Sequence, residues 1–318
     1  MEAVPEVRAL TPETFPVLRR AFGRHTWEDP YAGSPAYLAV TGRHGLWLYS
    51  DGAAFLIFCR HPDQADAALI FPPSGPGREA LLARFLDQVP APPGGFQLAR
   101  IPAHAAEDML SAFSRAAAGH SFAVRPEDRL DWRYPVHILD TAAVAAAEGH
   151  RLRDFRHNLH RAARAGLRAE PLEIARHSAA ITQVVRQWAS VHANDNWTAS
   201  ALAAPFEAVF DQLRTGRLPL HGLIVTDGAA LRGFITWEET DPGRGMANSL
   251  TNLAIGPGKG ASELTFQAMC QVLERRGFAR VCVGGSEREG LDRFKRKMQP
   301  VRSVPMVSAD IVPLDLAA

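Results

Sequence analysis

The residues best suited to carry chemistry lie late in the chain, around a double glycine. Gly284 and Gly285 end an apolar run that predicts a strand from Arg280 to Val283. Glycine at the exit of a strand lets the backbone approach a ligand closely. Ser286 follows, and then a short predicted helix carries Lys295, whose ammonium can neutralise charge on a bound ligand. The stretch therefore predicts a substrate site at the two glycines and Ser286, with Lys295 as a catalytic group.

This stretch resembles the end of the catalytic domain in Fem-type and DUF2156-type transferases. The shared pattern is GGSxxxGLxxFKxK, over residues 284–297. DUF2156 is the domain found at the C-terminus of phosphatidylglycerol lysyltransferases. The resemblance implies the GNAT fold, usually twice per chain, and transfer of an aminoacyl group from a charged tRNA to an amine or hydroxyl. It also matches Lys295 to the Fem-type lysine that contacts substrate phosphate or stabilises the developing oxyanion. The alternatives are a surface lysine paired with Asp292 and a strand-turn-helix without chemistry.

An internal repeat supports the same fold independently. Residues 45–59 and 222–237 each predict a hairpin closed by an Asp-Gly turn. Each hairpin is followed by a glycine loop, a helix and a strand, which is the order of the central GNAT unit. The repeat predicts an α/β (α+β) protein of two tandem GNAT-like domains, each a mixed central sheet flanked by helices. We place an N-terminal GNAT-like domain at residues 1–128 and a C-terminal catalytic one at residues 129–318.

Composition limits the kinds of partner. The chain has 318 residues, of which 47% are hydrophobic and 22% charged, enough for two domains of ordinary size. Its net charge of +1 means that any nucleic-acid contact must come from a local patch. No apolar segment approaches the length of a membrane span, and the start of the chain lacks an apolar targeting region, so we expect a cytoplasmic protein. Cys59, Cys270 and Cys282 lack metal-ligand spacing; we expect buried thiols and no metal.

A basic helix is predicted over residues 151–168. Its apolar side chains share one face and its arginines and histidines the other, with Asp154 as the one acidic residue. Like charges at this spacing destabilise a helix, so the row indicates a polyanion such as tRNA phosphates or a pyrophosphate. A solvated face in an arginine-rich protein is the alternative. The predicted phosphate or tRNA contacts are Arg153, Arg156, His160, Arg161 and Arg164.

A glycine loop precedes the longest helix of the second repeat. Consecutive backbone N–H groups at a helix N-terminus form an anion site, and GNAT enzymes place the phosphates of the donor there. The candidate residues are Gly256, Gly258, Lys259 and Gly260. The loop lacks the leading Gln or Arg of a coenzyme A type GNAT and contains Pro257, which weakens the coenzyme A interpretation.

Two strands and one loop supply further candidates. Glu238 and Glu239 end a predicted strand where GNAT enzymes often place a general base, and alternation allows one of them to face the central cleft. The next strand is rich in small polar residues, which predicts a polar substrate site, with a solvent-facing edge strand as the alternative. The predicted substrate-binding residues here and in the loop after residues 179–191 are Asn248, Ser249, Thr251, Asn252, Asn194, Asn196 and Trp197. Trp197 either stacks on a substrate or fills the core.

These features together predict an aminoacyl-tRNA-dependent transferase that forms an amide between an amino acid and an amine acceptor. The acceptor is expected to be a small molecule, for example a secondary-metabolite intermediate, or a peptide. No bound cofactor is expected, because the aminoacyl-tRNA is a donor substrate and a direct attack by the amine suffices. The alternative is an acyl-CoA-dependent N-acyltransferase of the GNAT superfamily. A third possibility is an RNA- or ligand-binding protein on a degenerate GNAT scaffold.

Overall fold

The chain forms two compact units, each built on a seven-stranded mixed sheet. The computed structural model describes residues 6–11, 13–15, 18, 22, 29–126, 130–194, 197–228, 230–240, 245–256 and 260–314. The first unit comprises residues 1–136, 285–288 and 304–318, and the second comprises residues 137–284 and 289–303.

The first unit has the sheet order β1-β2-β3-β4-β5-β14-β6. Its strands are β1 (Glu6–Ala9), β2 (Leu46–Ser50), β3 (Phe55–Arg60), β4 (Ala68–Ile70), β5 (Phe96–Pro102), β6 (His120–Arg125) and β14 (Met306–Pro313). Its described helices are α1 (Pro35–Thr41), α2 (Arg78–Gln88) and α3 (Ala106–Ala116), with a 3₁₀ turn at Ala103–Ala105. Neighbouring strands are antiparallel except β4 and β5. Phe85 of α2 lies in the core, edge-on to Tyr49 and Phe58.

The second unit has the sheet order β13-β7-β12-β11-β10-β9-β8. Its strands are β7 (Val136–Asp140), β8 (Arg168–Pro171), β9 (Leu220–Thr226), β10 (Leu231–Glu239), β11 (Met246–Ala254), β12 (Arg280–Cys282) and β13 (Arg302–Val304). Its helices are α4 (Thr141–Ala146), α5 (Arg153–Arg164), α6 (Ile174–His192), α7 (Ala199–Thr215), α8 (Ala261–Arg275) and α9 (Glu289–Arg296), with a 3₁₀ turn at His150–Leu152. One face of the sheet, at Trp237, packs against α8. The other, at Phe234, packs against α6 and α7.

The two sheets have the same topology. The five strands β1 to β5 correspond in order and direction to β8 to β12, and each series contains one parallel pair, β4–β5 and β11–β12. The predicted hairpins are present, because an Asp-Gly turn needs only local sequence: the Asp51 carboxylate accepts from the N–H groups of Ala53 and Ala54, and Asp227 accepts from Ala230. The predicted repeat is therefore a structural one.

The units differ from the predicted division of the chain at residues 128 and 129. The late strand β14 inserts between β5 and β6 of the first sheet, and β7 takes the equivalent sixth place in the second sheet. Each unit is therefore discontinuous in sequence. This strand was not predicted from the sequence, and strand pairing is non-local, so its place in the sheet does not show in the sequence pattern.

The basic helix is shorter than predicted. It ends at Arg164 because Gly166 takes a left-handed φ of 72°, and the N–H groups of Gly166 and Leu167 close the helix on the carbonyls of Ala163 and Ala162. Arg168 instead begins β8.

The cysteines are buried free thiols, as predicted, and burial raises the pKa of Cys59 to about 12. Within the described ranges, no helix is long and apolar enough to cross a membrane. The same part of the chain has no group of three or more His, Cys, Asp or Glu placed to hold a metal ion.

Candidate active site

The strands β11 and β12 are neighbours over only three residues, the last pair being Asn248 and Cys282. Beyond this pair β11 stays with β10 as far as Ala254. The chain after Cys282 instead follows β7: Val283 N donates to His137 O at 2.9 Å, and His137 N donates to Gly284 O at 3.1 Å. We call the place where the two strands diverge the second-unit gap. The polar part of β11 begins at this gap.

One face of β11 at the gap carries Asn248 and Thr251. Asn248 lies opposite Glu238, and the Thr251 hydroxyl lies 2.6 Å from that of Thr236. Asn248 and Thr251 are three residues apart but lie on the same face. The register between β10 and β11 shifts between Thr236 and Trp237, and this leaves one extra residue in β11. All four side chains are buried, so they form a polar layer inside the unit.

The opposite face of β11 carries Ser249 and Asn252. Ser249 pairs in register with Trp237, and the Asn252 amide donates to the Thr265 hydroxyl of α8. The four predicted polar residues of β11 therefore divide equally between the two faces of the sheet.

Glu238 and Glu239 also lie on opposite faces. Glu238 is 1% exposed and lies with Asn248. Glu239 instead accepts from Arg276 at 2.5 Å, and its second oxygen lies 3.4 Å from His221 Nε2. Glu239 thus has its own ion pair away from the polar layer, and Glu238 is the carboxylate that the fold places at the gap.

Lys295 lies on the buried side of α9. It is 7% exposed, and its Nζ donates to Gly284 O at 3.4 Å. The fold therefore brings together Lys295 and the first glycine of the motif. Phe294 is only partly buried, against Phe266.

A buried histidine beside this lysine was missed by sequence reasoning. His137 is 1% exposed, with Nε2 2.8 Å from Asp292 Oδ1 and Nδ1 2.8 Å from Ser303 Oγ. Burial lowers the pKa of His137, although Asp292 acts in the opposite direction. Because a carboxylate only accepts, Nε2–H donates to Asp292 and the Ser303 hydroxyl donates to Nδ1. The signal in the sequence was one histidine inside the otherwise apolar strand Val136–Leu139.

The N-cap of α8, at the end of the predicted glycine loop, packs against α5. A Cβ on Gly260, at the N-cap of α8, would lie 2.2 Å from Asn158 O. The Asn158 amide also donates to Glu263 Oε1 at 2.7 Å, and Glu263 is a buried residue of the first turn of α8. Gly256 lies just before this region, whereas Gly258 and Lys259 lie outside the described residues.

The arginines of α5 do not all face solvent. Arg156 donates to Ala147 O and Gly149 O, each at 3.0 Å, and so holds the preceding turn. The predicted contacts that remain exposed are Arg153, His160, Arg161 and Arg164.

The described residues of the loop between α6 and α7 are joined by hydrogen bonds. Asn194 and Trp197 exchange backbone hydrogen bonds of 3.0 and 3.1 Å, and Asn194 Oδ1 accepts from Trp197 N at 3.1 Å. The Trp197 ring packs against the core between the sheet and these helices. Asn196 lies outside the described residues.

Gly285 and Ser286 belong to the first unit. A Cβ on Gly285 would lie 2.3 Å from Asp131 O, so glycine is required by packing. Tyr134 N donates to Ser286 O at 2.9 Å, and the buried Ser286 hydroxyl has no hydrogen-bond partner among the described residues.

A comparison with family models identifies the chain. The model described as "Phosphatidylglycerol lysyltransferase, C-terminal" matches residues 28–306. The chain belongs to this family. The resemblance seen in the 284–297 motif is therefore confirmed, and the protein is a transferase.

Solved structures of similar fold support the architecture. L-PGS from Bacillus licheniformis is 15% identical with a TM-score of 0.64, and the match covers 95% of this chain and 92% of that chain. FemX is 11% identical with a TM-score of 0.62, covering 98% of each chain. A tandem GNAT protein from the clavulanic acid biosynthesis pathway is 13% identical with a TM-score of 0.53, covering 96% of this chain and 98% of that chain. These likenesses confirm the predicted fold of two tandem GNAT-like domains. No curated protein sequence matches the chain.

Proposed function

We propose that this member of the phosphatidylglycerol lysyltransferase C-terminal family transfers an amino acid from an aminoacyl-tRNA to an amine acceptor and forms an amide. The acceptor is a small molecule or a peptide, and the reaction takes place in the cytoplasm at the second-unit gap. Family membership and the 284–297 motif support the aminoacyl donor. The acyl-CoA-dependent N-acyltransferase is the second candidate.

The observation that carries the choice of donor is the packing of α5 against Gly260, the N-cap of α8. A pyrophosphate binds a helix N-terminus through free N–H groups and the positive end of the helix dipole. Here the backbone of α5 lies against Gly260, and Glu263 adds a carboxyl group to the first turn. Both features oppose a coenzyme A pyrophosphate at this helix end.

The exposed side of α5 supports a polynucleotide donor. Arg153, Arg161 and Arg164 are exposed there, together with His157 and His160, in a protein whose net charge is only +1. Phosphate contacts through arginine supply most of the affinity for a nucleic acid, and a local patch of this kind is sufficient.

In the proposed reaction the acceptor amine attacks the ester carbonyl of the aminoacyl-tRNA. A C–N bond forms and the carbonyl electrons move to oxygen. Collapse of this oxyanion restores the carbonyl and expels the ribose oxygen of the tRNA, which takes up the proton that the amine has lost and becomes the hydroxyl. The ammonium of Lys295 stabilises the oxyanion. Glu238 accepts the proton that the amine loses, and Asn248 and Thr251 orient the acceptor.

A donor assay tests the proposal. The purified protein is incubated with a mixed amine pool and either radiolabelled aminoacyl-tRNAs or acetyl-CoA, with and without RNase. We expect RNase-sensitive transfer of the amino acid to an amine. RNase-insensitive release of coenzyme A would instead support the acyl-CoA enzyme. Saturable binding of tRNA without turnover of either donor would favour the RNA-binding protein.

A further inference from the structure

The first unit contains a gap equivalent to that of the second. Its parallel strands β4 and β5 pair over three residues, ending at Ile70 and Leu98. Beyond this pair the chain after β4 stays with β3, since Phe71 N donates to Ile57 O at 2.9 Å. β5 instead continues along β14 to Pro102. We call the place of this divergence the first-unit gap.

Arg100 and Gly284 occupy equivalent positions at the two gaps. Each lies two residues beyond the last parallel pair, which ends at Leu98 in the first unit and at Cys282 in the second. Both have left-handed backbones, with φ of 56° for Arg100 and 67° for Gly284. This conformation is common for glycine and disfavoured for a residue with a Cβ. The first unit therefore keeps a side chain at a position that favours glycine.

The guanidinium of Arg100 is fully enclosed by acceptors. Arg100 is 0% exposed, and its Nε and Nη2 donate to the two carboxylate oxygens of Asp29, the Nη2 bond being 2.9 Å. Its Nη1 donates to Tyr37 Oη at 2.9 Å and lies 3.2 Å from Asp131 Oδ2. Burial alone lowers the pKa of Arg100, but Asp29, Tyr37 and Asp131 together raise that pKa well above its usual range. The group is therefore a permanent cation.

Three aromatic rings complete the enclosure. The guanidinium carbon lies 4.7 Å from the ring centre of Tyr37 and 5.2 Å from those of Tyr31 and Trp132. Carboxylates and aromatic faces around a buried cation are the features of a binding site for an organic cation.

We propose that the side chain of Arg100 occupies a cation-binding site of the first unit and acts as an internal ligand there. This side chain starts at the first-unit gap and places the guanidinium in this enclosure, whereas Gly284 has no side chain at the equivalent position of the second unit. The surroundings of Arg100, formed by Asp29, Asp131 and the three rings, constitute a site specific for a guanidinium-type cation. This inference does not depend on which donor the second unit uses.

Chemical rescue of an Arg100→Gly variant tests this inference. Glycine matches the equivalent residue and tolerates the left-handed backbone, while the loss of the guanidinium leaves Asp29 buried without its partner. We expect the melting temperature to fall by about 10 °C. Addition of about 50 mM methylguanidinium chloride should raise it by about 4 °C relative to sodium chloride at equal ionic strength, through binding to the folded state. The unmodified protein should respond equally to both salts.

A second variant controls for charge. Arg100→Gly combined with Asp29→Asn removes the unpaired carboxylate, so it should be more stable than Arg100→Gly and lose most of the rescue. Equal effects of methylguanidinium and sodium on Arg100→Gly would overturn the inference. If Arg100→Gly is recovered only as insoluble protein, the yield of soluble protein after refolding from urea is measured instead of the melting temperature. A yield about threefold higher with methylguanidinium supports the site, and equal yields overturn it.

Discussion

Lys295 is a charged side chain kept almost entirely out of water. A buried ammonium is unfavourable unless acceptors surround it, and Gly284 O is one such acceptor at 3.4 Å. The lysine is thereby held at the strand exit, against the backbone of Gly284. Such a fixed, desolvated cation is more effective at stabilising a developing oxyanion than a mobile surface lysine.

Replacing Lys295 with glutamine should lower the rate of aminoacyl transfer by about a hundredfold. The matched control is Lys297→Gln, since Lys297 lies on the same segment and is exposed. Initial rates with aminoacyl-tRNA give the comparison, and circular dichroism checks the fold. Similar rates for the two variants would remove Lys295 from the mechanism.

His137 should make stability depend on pH. Burial lowers its pKa from the ordinary value of 6.5, so the unfolded chain binds a proton at this residue more readily than the folded one. The contribution of His137 to the free energy of unfolding is therefore fully present above pH 6.5. It is lost as the pH falls below 6.5 towards the lower pKa of the folded state. The charged groups near His137 are Asp292, Lys295 and Arg296.

The pH dependence of stability is measured as the fall in melting temperature between pH 7.5 and pH 5.5. In His137→Gln the fall should be smaller by about 2 °C or more than in the unmodified protein. His150→Gln, at an exposed position, is the control and should behave as the unmodified protein. An unchanged fall in His137→Gln would contradict the assignment.

The two sides of helix α5 make different contacts. Its inner side covers the N-terminus of α8 through Asn158, and Arg156 holds the preceding turn. Its outer side presents Arg161 and Arg164 to solvent. One helix therefore packs against the N-cap of α8 on one side and carries the surface proposed for the tRNA on the other.

Neutralising the outer side should weaken tRNA binding. In Arg161→Gln with Arg164→Gln we expect affinity to fall about tenfold, and the salt dependence of log K to become shallower by about 1 to 2. Anisotropy of labelled tRNA across a salt series measures both. A control on α6, Arg176→Gln, also exposed, should bind as the unmodified protein. An equal loss of affinity in Arg176→Gln would mean that positive charge over the whole surface attracts the tRNA, and not the outer side of α5 in particular.

In the whole molecule, strands that are far apart in the sequence are neighbours in the sheets. β14 pairs with β5 on one side and β6 on the other, so it lies inside the first sheet. Removal of an inner strand leaves two unpaired edges and opens the core at Ala309 and Ile311.

A chain ended after Val304 should therefore lose the first unit. We expect rapid cleavage of residues 35–125 by thermolysin, with the second unit more resistant. A chain ended after Leu314 retains β14 and is the control. Equal protease resistance of both chains would show that the first sheet does not require β14.

Local signals were sufficient for much of the fold and part of the site. The Asp-Gly turns at Asp51 and Asp227 fix both hairpins through neighbouring residues, and the repeat then gives the sheet topology. Gly284 and Lys295 are close in sequence, so the motif itself drew attention to both, although their contact was not predicted. His137 and Asp292 are 155 positions apart, and Arg100 meets Asp29 across 71. Such contacts depend on strand order, which no local pattern encodes.

The position of β14 also has a consequence during synthesis. The ribosome makes β1 to β6 first, but the strand that separates β5 from β6 emerges only after all of β7 to β13. At typical translation rates of 5–20 residues per second, the interval is on the order of ten to forty seconds. The half of the protein that is made first is therefore completed last, and until then the edges of β5 and β6 that pair with β14 stay unpaired.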